Sequence, residues 1–307
     1  MSESFQVSDP CARLGIVMNQ DGTITRDQTR LPRVPASPVA VVSKDIVVNH
    51  SNSTWMRLYV PTTALNVVVS TRKLPLVVYF HGGAFINHSV DFKPNHEFCN
   101  HLARECNVVV ASASYRLAPE FKLPTAYLDG VHALKWLRHS EDVWIRSYAD
   151  LSNVFLMGSN SGGNLAYNAA LRSTSEYLTP LFIRGLILQR PFFGGQKRCV
   201  SELRHENDQA VGDLCWKLCL PDGADRDHKY SNPRVGNDME IIRQRGWKAM
   251  VIGEGEVKGG VWIDRQRDVV KLMKEKGVDV VERFTDEGNV FASITSFIYS
   301  SAPLWSF

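Results

Sequence analysis

The sequence contains no long apolar segment and no concentration of charge of one sign. No run of about 18 apolar residues, the length needed for a membrane-spanning helix, occurs in the 307 residues. The 35 Lys and Arg residues are interspersed with 32 Asp and Glu residues, which gives a net charge of +3. This composition offers no electrostatic case for nucleic acid or membrane as a partner, so small, weakly charged ligands are expected. Residues 1–30 have no basic stretch followed by an apolar one, and a cytoplasmic location is therefore expected.

Cysteine pairs with metal-ligand spacing are also lacking. The six cysteines are scattered without a C-x-x-C pair, which favours reduced thiols. Cys215 and Cys219 would share one helix face, but two thiols without a nearby histidine or second cysteine pair make a poor metal site. We therefore expect buried core thiols, no metal and no cofactor.

From residue 74 onwards the sequence alternates apolar runs with segments of helical pattern. Runs that are apolar on both faces are typical of strands in a parallel sheet covered by helices. The predicted strands are 74–80, 107–113, 153–157, 183–189, 247–253 and 278–284. The predicted helices are 96–105, 128–138, 163–172, 264–275 and 292–300. The pattern predicts an α/β fold, with a mostly parallel, doubly wound sheet and helices on both faces.

One domain accounts for most of the chain. Residues 44–60 alternate as an antiparallel hairpin does, which predicts an edge of the sheet. Residues 1–43 are polar and punctuated by proline, and are predicted to form an N-terminal cap segment. The remaining 44–307 form the main domain, in which about 194–235 is predicted to be a cap insertion.

Two glycine-containing turns have the local pattern of a catalytic site. Immediately after the predicted strand 74–80 comes HGGAF, residues 81–85, and its glycines allow backbone N–H groups to turn toward one point. We predict an oxyanion hole from the N–H groups of Gly82, Gly83 and Ser161. The pocket beside it is predicted to contain the residues His81, Ala84 and Phe85.

The second turn is FLMGSNSGGNLAYN, residues 155–168, where an apolar run meets a helical pattern. A nucleophile elbow carries its nucleophilic serine midway between two glycines, at a sharp strand-to-helix turn. Here the midway residue between Gly158 and Gly162 is Asn160.

Together, these turns resemble those of plant carboxylesterases of the hormone-sensitive-lipase-like α/β-hydrolase family. The resemblance extends from about residue 12 to 303. It rests on HGGAF (81–85), SYRLAPEFKLPTAYLDGVHALKW (114–136), MGSNSGGN (157–164), RPFFGG (190–195), DRDHKYSNP (225–233) and IDRQ (263–266). It implies an eight-stranded, mostly parallel sheet with a helical cap, and hydrolysis of short-chain esters by a Ser-Asp-His triad.

All three triad positions are substituted in this sequence. The family's serine falls on Asn160, whose carboxamide is not an acyl-accepting nucleophile. The family's aspartate falls near Gly260, with Glu254 or Glu256 as nearby carboxylates. The base should follow the last strand, yet residues 229–307 contain no histidine, and Phe291 lies near that position.

Three functions remain open on this pattern. The first is a carboxylesterase homologue without normal esterase activity. The second is a receptor or binding protein for a small ester-like or hormone-like molecule, since gibberellin receptors resemble the family and lack the triad histidine. The third is a lyase or cyclase that uses the oxyanion hole. The sequence does not indicate the oligomeric state.

Overall fold

A computed structural model describes residues 9–36, 41–65, 73–254, 260–285 and 287–301. Ten strands form a two-stranded and an eight-stranded sheet. They are β1 (Ile16–Met18), β2 (Ile24–Arg26), β3 (Val41–Asn49), β4 (Thr54–Pro61), β5 (Leu74–Phe80), β6 (Val109–Ala113), β7 (Ala149–Ser159), β8 (Ile183–Gln189), β9 (Lys248–Ile252) and β10 (Val280–Arg283).

The large sheet has the order β10-β9-β8-β7-β5-β6-β4-β3. Only β3 with β4 and β4 with β6 pair antiparallel, so the hairpin lies at the edge as predicted. All other neighbours in this sheet are parallel. The predicted fold class is therefore confirmed.

Helices cover both faces of the sheet. They are α1 (Pro10–Leu14), α2 (Thr62–Leu65), α3 (Lys93–Cys106), α4 (Thr125–His139), α5 (Val143–Tyr148), α6 (Ser161–Ser173), α7 (Val200–Arg204), α8 (Glu206–Cys219), α9 (Asp238–Gln244), α10 (Ile263–Glu275) and α11 (Val290–Ser300). In the described ranges, no helix has the length and apolarity needed to cross a bilayer. Helix α3 begins three residues before the predicted position, because Pro94 is well accommodated in a first helical turn.

Strand β5 shows why the apolar runs are continuous. Leu76, Val78 and Phe80 point into one apolar core, while Val77 and Tyr79 point into the core on the opposite face. Successive side chains of a strand alternate between faces, so a strand buried on both faces needs apolar residues throughout.

The N-terminal segment packs over the loop that follows β5. Arg26 Nε donates to the Ile86 carbonyl at 2.6 Å, and its guanidinium also bonds the Glu120 carboxylate at 2.7 Å. Asn87 Nδ2 donates to the Leu14 carbonyl. The domain division stays a prediction. Strand β3 already begins inside the predicted cap segment, and residues 1–8, 37–40 and most of the tether at 64–73 lie outside the described residues.

Two glycines allow β5, β7 and α6 to meet. A Cβ added to Gly158 would lie 2.0 Å from the Gly162 carbonyl oxygen, and one added to Gly162 would lie 2.0 Å from the Phe80 carbonyl oxygen. These obstacles are backbone atoms, which cannot rotate away as a side chain can.

We predict that Gly162→Ala will lower the free energy of unfolding by about 3 kcal/mol, the upper end of the cost of overpacking, because backbone must move. Chemical denaturation measures this loss. The matched control is Gly223→Ala, where φ is +77° but no atom lies within 4 Å of the new Cβ. Only the left-handed backbone penalty of about 1–2 kcal/mol applies there. Equal losses in the two variants would contradict the steric argument.

Candidate functional site

A cavity of about 580 Å³ opens at the carboxyl ends of the parallel strands, the edge where ligands bind in open α/β sheets. Its walls come from the loops after β5, β7, β8 and β9, with contributions from α1 and α3. The lining residues are Arg13, Leu14, Tyr79, Gly82, Gly83, Ala84, Asn87, His88, Asn95, Phe98, Ser159, Asn160, Gln189, Arg190, Glu254 and Trp262.

Asn160 occupies the sharp turn between β7 and α6 and lines this cavity. Its backbone has φ +53° and ψ −118°, which lies outside the αL region, and positive φ is uncommon for residues with a side chain although asparagine is enriched there. Its N–H donates to the Gln189 carbonyl at 2.8 Å, and its carbonyl accepts from the Phe192 N–H at 3.0 Å. The backbone of an elbow is therefore present, with a carboxamide at its centre.

The N–H group that reaches this carboxamide belongs to Ala84. It donates to Asn160 Oδ1 at 3.3 Å, one residue beyond the predicted pair of glycines. Gly83 has φ +110°, and a Cβ there would lie 2.1 Å from the Asn87 carbonyl oxygen, so only glycine fits. Ser161 begins α6 and is fully buried. Convergence of the N–H groups of Gly82, Gly83 and Ser161 on one point stays a prediction.

Two of the three predicted pocket residues lie behind the cavity wall. Ala84 lines the cavity, whereas His81 and Phe85 are buried beneath it. The His81 ring stacks on Tyr115 with centroids 4.4 Å apart, and burial lowers the pKa of His81 to about 4. Phe85 packs edge-on against Tyr115 and Tyr127. His81 is therefore neutral at physiological pH and packs as part of the loop's support.

The position predicted for the acid holds a carboxylate from another residue. A Cβ added to Gly260 would lie 1.5 Å from Glu254 Oε2, so the Glu254 side chain fills the space beside Gly260. Burial raises the pKa of Glu254, an effect that Arg190 opposes. Within the described ranges, Glu254 Oε2 has no hydrogen-bond partner. Glu256, the other carboxylate considered, lies outside the described residues.

Phe291, at the position predicted for the base, does not line the cavity. It lies in the first turn of α11 and packs against Phe98 of α3, with ring centroids 5.7 Å apart. Phe98 itself forms part of the wall. The ring of Phe98 therefore separates Phe291 from the cavity. The same aromatic contact fixes the start of α11 against α3.

Sequence reasoning missed an imidazole that lines the cavity. His88 follows the glycine turn by five residues and has φ +74°, and its ring packs on Phe92 with centroids 4.5 Å apart. Burial lowers the pKa of His88, which favours the neutral form. His88 lies in the same loop as the HGGAF motif, and this position in the sequence could have identified it.

A chain of hydroxyl groups was missed as well. Tyr79 donates from its hydroxyl to Ser159 Oγ at 2.9 Å, and Ser159 donates to Gln189 Oε1 at 2.6 Å. These residues come from the adjacent strands β5, β7 and β8, so only the strand order brings them together. Ser159 therefore donates its hydroxyl proton to an amide oxygen, which is not a general base.

Comparison with known proteins agrees with this geometry. A family profile described as the alpha/beta hydrolase fold matches residues 77–293. This chain belongs to that family.

Its relatives include enzymes and a receptor. Carboxylesterase 20 of Arabidopsis thaliana is 51% identical, over 98% of this chain and 99% of its own length. The 3-O-acetylpapaveroxine carboxylesterase CXE2 of Papaver somniferum is 40% identical, over 88% of each chain. The gibberellin receptor GID1B of Arabidopsis thaliana is 36% identical, over 86% of this chain and 77% of its own. Among solved structures, an esterase of Pyrobaculum calidifontis superposes with a TM-score of 0.68 at 23% identity, covering 85% of this chain and 86% of its own.

We predict that Glu254→Gln will raise the melting temperature at neutral pH but not at acidic pH. Because burial raises the pKa of this carboxyl, the folded state keeps a proton that the unfolded state releases, so stability falls as pH rises above the ordinary glutamate pKa. The difference between variant and wild-type melting temperatures should grow as the pH rises above the ordinary glutamate pKa of about 4.3. The exposed Glu97→Gln variant serves as control. A pH-independent difference for Glu254→Gln would contradict this assignment.

Proposed function

We propose that this protein binds a small ester-like or hormone-like molecule in the cavity and does not hydrolyse esters at a normal enzymatic rate. The observation that carries the proposal is the Asn160 carboxamide, which stands at the centre of the elbow and accepts a hydrogen bond from the Ala84 N–H. An amide has no ionisable proton to lose under these conditions, so it forms no acyl-enzyme.

The rest of the machinery supports the same conclusion. A triad needs an imidazole held between nucleophile and acid. The cavity imidazole, His88, comes from the loop after β5 and not from the segment after β10. The carboxylate of Glu254 fills the space beside Gly260 and has no such imidazole to orient.

The cavity retains features that suit a carbonyl-bearing ligand. The Gly82–Ala84 turn, Arg190 and Phe98 line it, and backbone amides and a guanidinium are hydrogen-bond donors. Such donors bind a carbonyl or carboxylate oxygen, while the aromatic wall takes an apolar body. The relatives named as carboxylesterases and as a gibberellin receptor support a small organic ligand.

A second candidate is a non-hydrolytic lyase or cyclase reaction. Three groups able to carry a proton line the cavity: Tyr79, His88 and Glu254. Burial raises the pKa of Glu254 toward the physiological range, and it lowers the pKa of His88, which favours a neutral imidazole that can accept a proton. This arrangement favours proton transfer on a bound ligand over acyl transfer.

We predict that the purified protein will hydrolyse p-nitrophenyl acetate or butyrate no faster than a surface-lysine background. The same esters, plant hormones and alkaloid-like compounds are to be screened by thermal shift. Binding without turnover supports the proposal, and consumption of a ligand without ester cleavage would favour the lyase or cyclase. A saturable ester hydrolysis that Asn160→Ala abolishes would overturn both.

We also predict that Asn160→Ser alone will not restore esterase activity. Because triad members act as a unit, one hydroxyl without its base should recover little of the roughly 10⁶-fold effect of a triad. Recovery should need a longer, histidine-bearing loop in place of 285–291 and an aspartate at Gly260, with single, double and triple restorations compared on one ester. The matched control is Asn160→Ser combined with His88→Ala. If Asn160→Ser were active and the double variant inactive, His88 would be the hidden base and the prediction wrong.

A further inference from the structure

The backbone conformation at Asn160 has a chemical consequence for its own side chain. Viewed along the Cα–C bond of an L-residue, Cβ and that residue's own backbone nitrogen are separated by a third of a turn. A ψ of −118° therefore places the Ser161 nitrogen nearly eclipsed with the Asn160 Cβ. A five-membered succinimide ring made of the Ser161 nitrogen and Asn160 C, Cα, Cβ and Cγ requires this eclipsed arrangement.

The attacking nitrogen is also available. Ser161 is the first residue of α6, where an N–H has no intrahelical acceptor. In the part of the chain that the structure describes, no other acceptor takes this N–H. Asn160 also makes no side-chain cap to the helix that would hold its carboxamide elsewhere.

The electrophilic carbon is polarised by the loop after β5. The Ala84 N–H donates to Asn160 Oδ1 at 3.3 Å, which is the atom that gains negative charge when nitrogen adds to Cγ. A preorganised N–H donor at such an atom stabilises the tetrahedral intermediate. The Ala84 N–H of the loop after β5 is thus directed at the side-chain amide of Asn160.

We propose that Asn160 is a self-modification site, at which the elbow promotes deamidation to aspartate. The Ser161 nitrogen bonds to Asn160 Cγ, the bond from Cγ to the side-chain nitrogen breaks, and ammonia leaves with the proton of the Ser161 N–H. Solvent water then opens the succinimide. Asn160 lines the cavity, and solvent in the cavity reaches the side-chain carbon Cγ. Water therefore adds at Cγ, which yields aspartate and preserves the elbow, and a carboxylate then shares the cavity with Arg190.

The chain contains a matched internal control, because Asn52 is also followed by serine. Asn52 lies in the hairpin turn between β3 and β4, and there the Ser53 N–H is occupied by the His50 carbonyl at 3.2 Å. The two dipeptides are chemically identical but differ in whether the attacking nitrogen is available. Trypsin separates them into peptides 45–57 and 147–172.

The test incubates the folded wild-type protein in ¹⁸O-labelled water and follows ¹⁸O incorporation at both sites by peptide mass spectrometry, with aspartate and isoaspartate resolved. Asn160 should convert about tenfold faster than Asn52, since near-attack geometry accelerates ring closure. In protein unfolded by denaturant the two rates should become comparable. The side chain of Asn160→Gln can close only a larger ring. The rapid release of ammonia expected from Asn160 should therefore be lost in this variant.

Each outcome decides the proposal. Conversion of Asn160 that is complete in the protein as isolated, with Asn52 intact in the same sample, supports it. A folded-state rate at Asn160 equal to or below that at Asn52 overturns it. So does an advantage of Asn160 that persists unchanged in denaturant, because the acceleration would then not come from the elbow.

Discussion

The close approach of three backbone segments at Gly158 and Gly162 is the constraint on which the site depends. The end of β7, the first turn of α6 and the end of β5 meet with no space for a Cβ at either glycine. The chain must therefore reverse within a few residues, and residue 160 takes a positive φ. Backbone packing of this kind is insensitive to the chemistry of the side chain at the turn.

The turn is therefore compatible with asparagine at position 160. Asn160 satisfies the turn through its backbone, with its N–H on the Gln189 carbonyl and its carbonyl bonded by N–H groups of α6. Asparagine is found at positive φ more often than most residues that carry a side chain. The loop after β5 is similarly supported from behind by the stacked rings of His81 and Tyr115. The scaffold of a hydrolase is thus maintained by contacts that play no part in hydrolysis.

The cavity's charges are arranged by segments remote from the elbow. Arg13, from the N-terminal helix α1, forms an ion pair with Asp208 of α8, so these two helices meet beside the cavity. Glu254 folds toward Gly260 and leaves one carboxylate oxygen without a partner among the described residues. An unpaired buried oxygen is costly unless a ligand or proton satisfies it. Burial of this oxygen agrees with the raised pKa of the Glu254 carboxyl.

The sequence by itself determined the sheet, the edge hairpin and the sharp strand-to-helix turn at Asn160, because these depend on local patterns. Continuous apolar runs identify strands buried on both faces, and the spacing from Gly158 to Gly162 identifies Asn160. Tertiary structure alone decided that Ala84 donates to Asn160, that His88 and not His81 lines the cavity, and that Glu254 fills the space beside Gly260. The physical reason is that these arrangements depend on how loops pack at the sheet edge and not on any residue pattern within one segment.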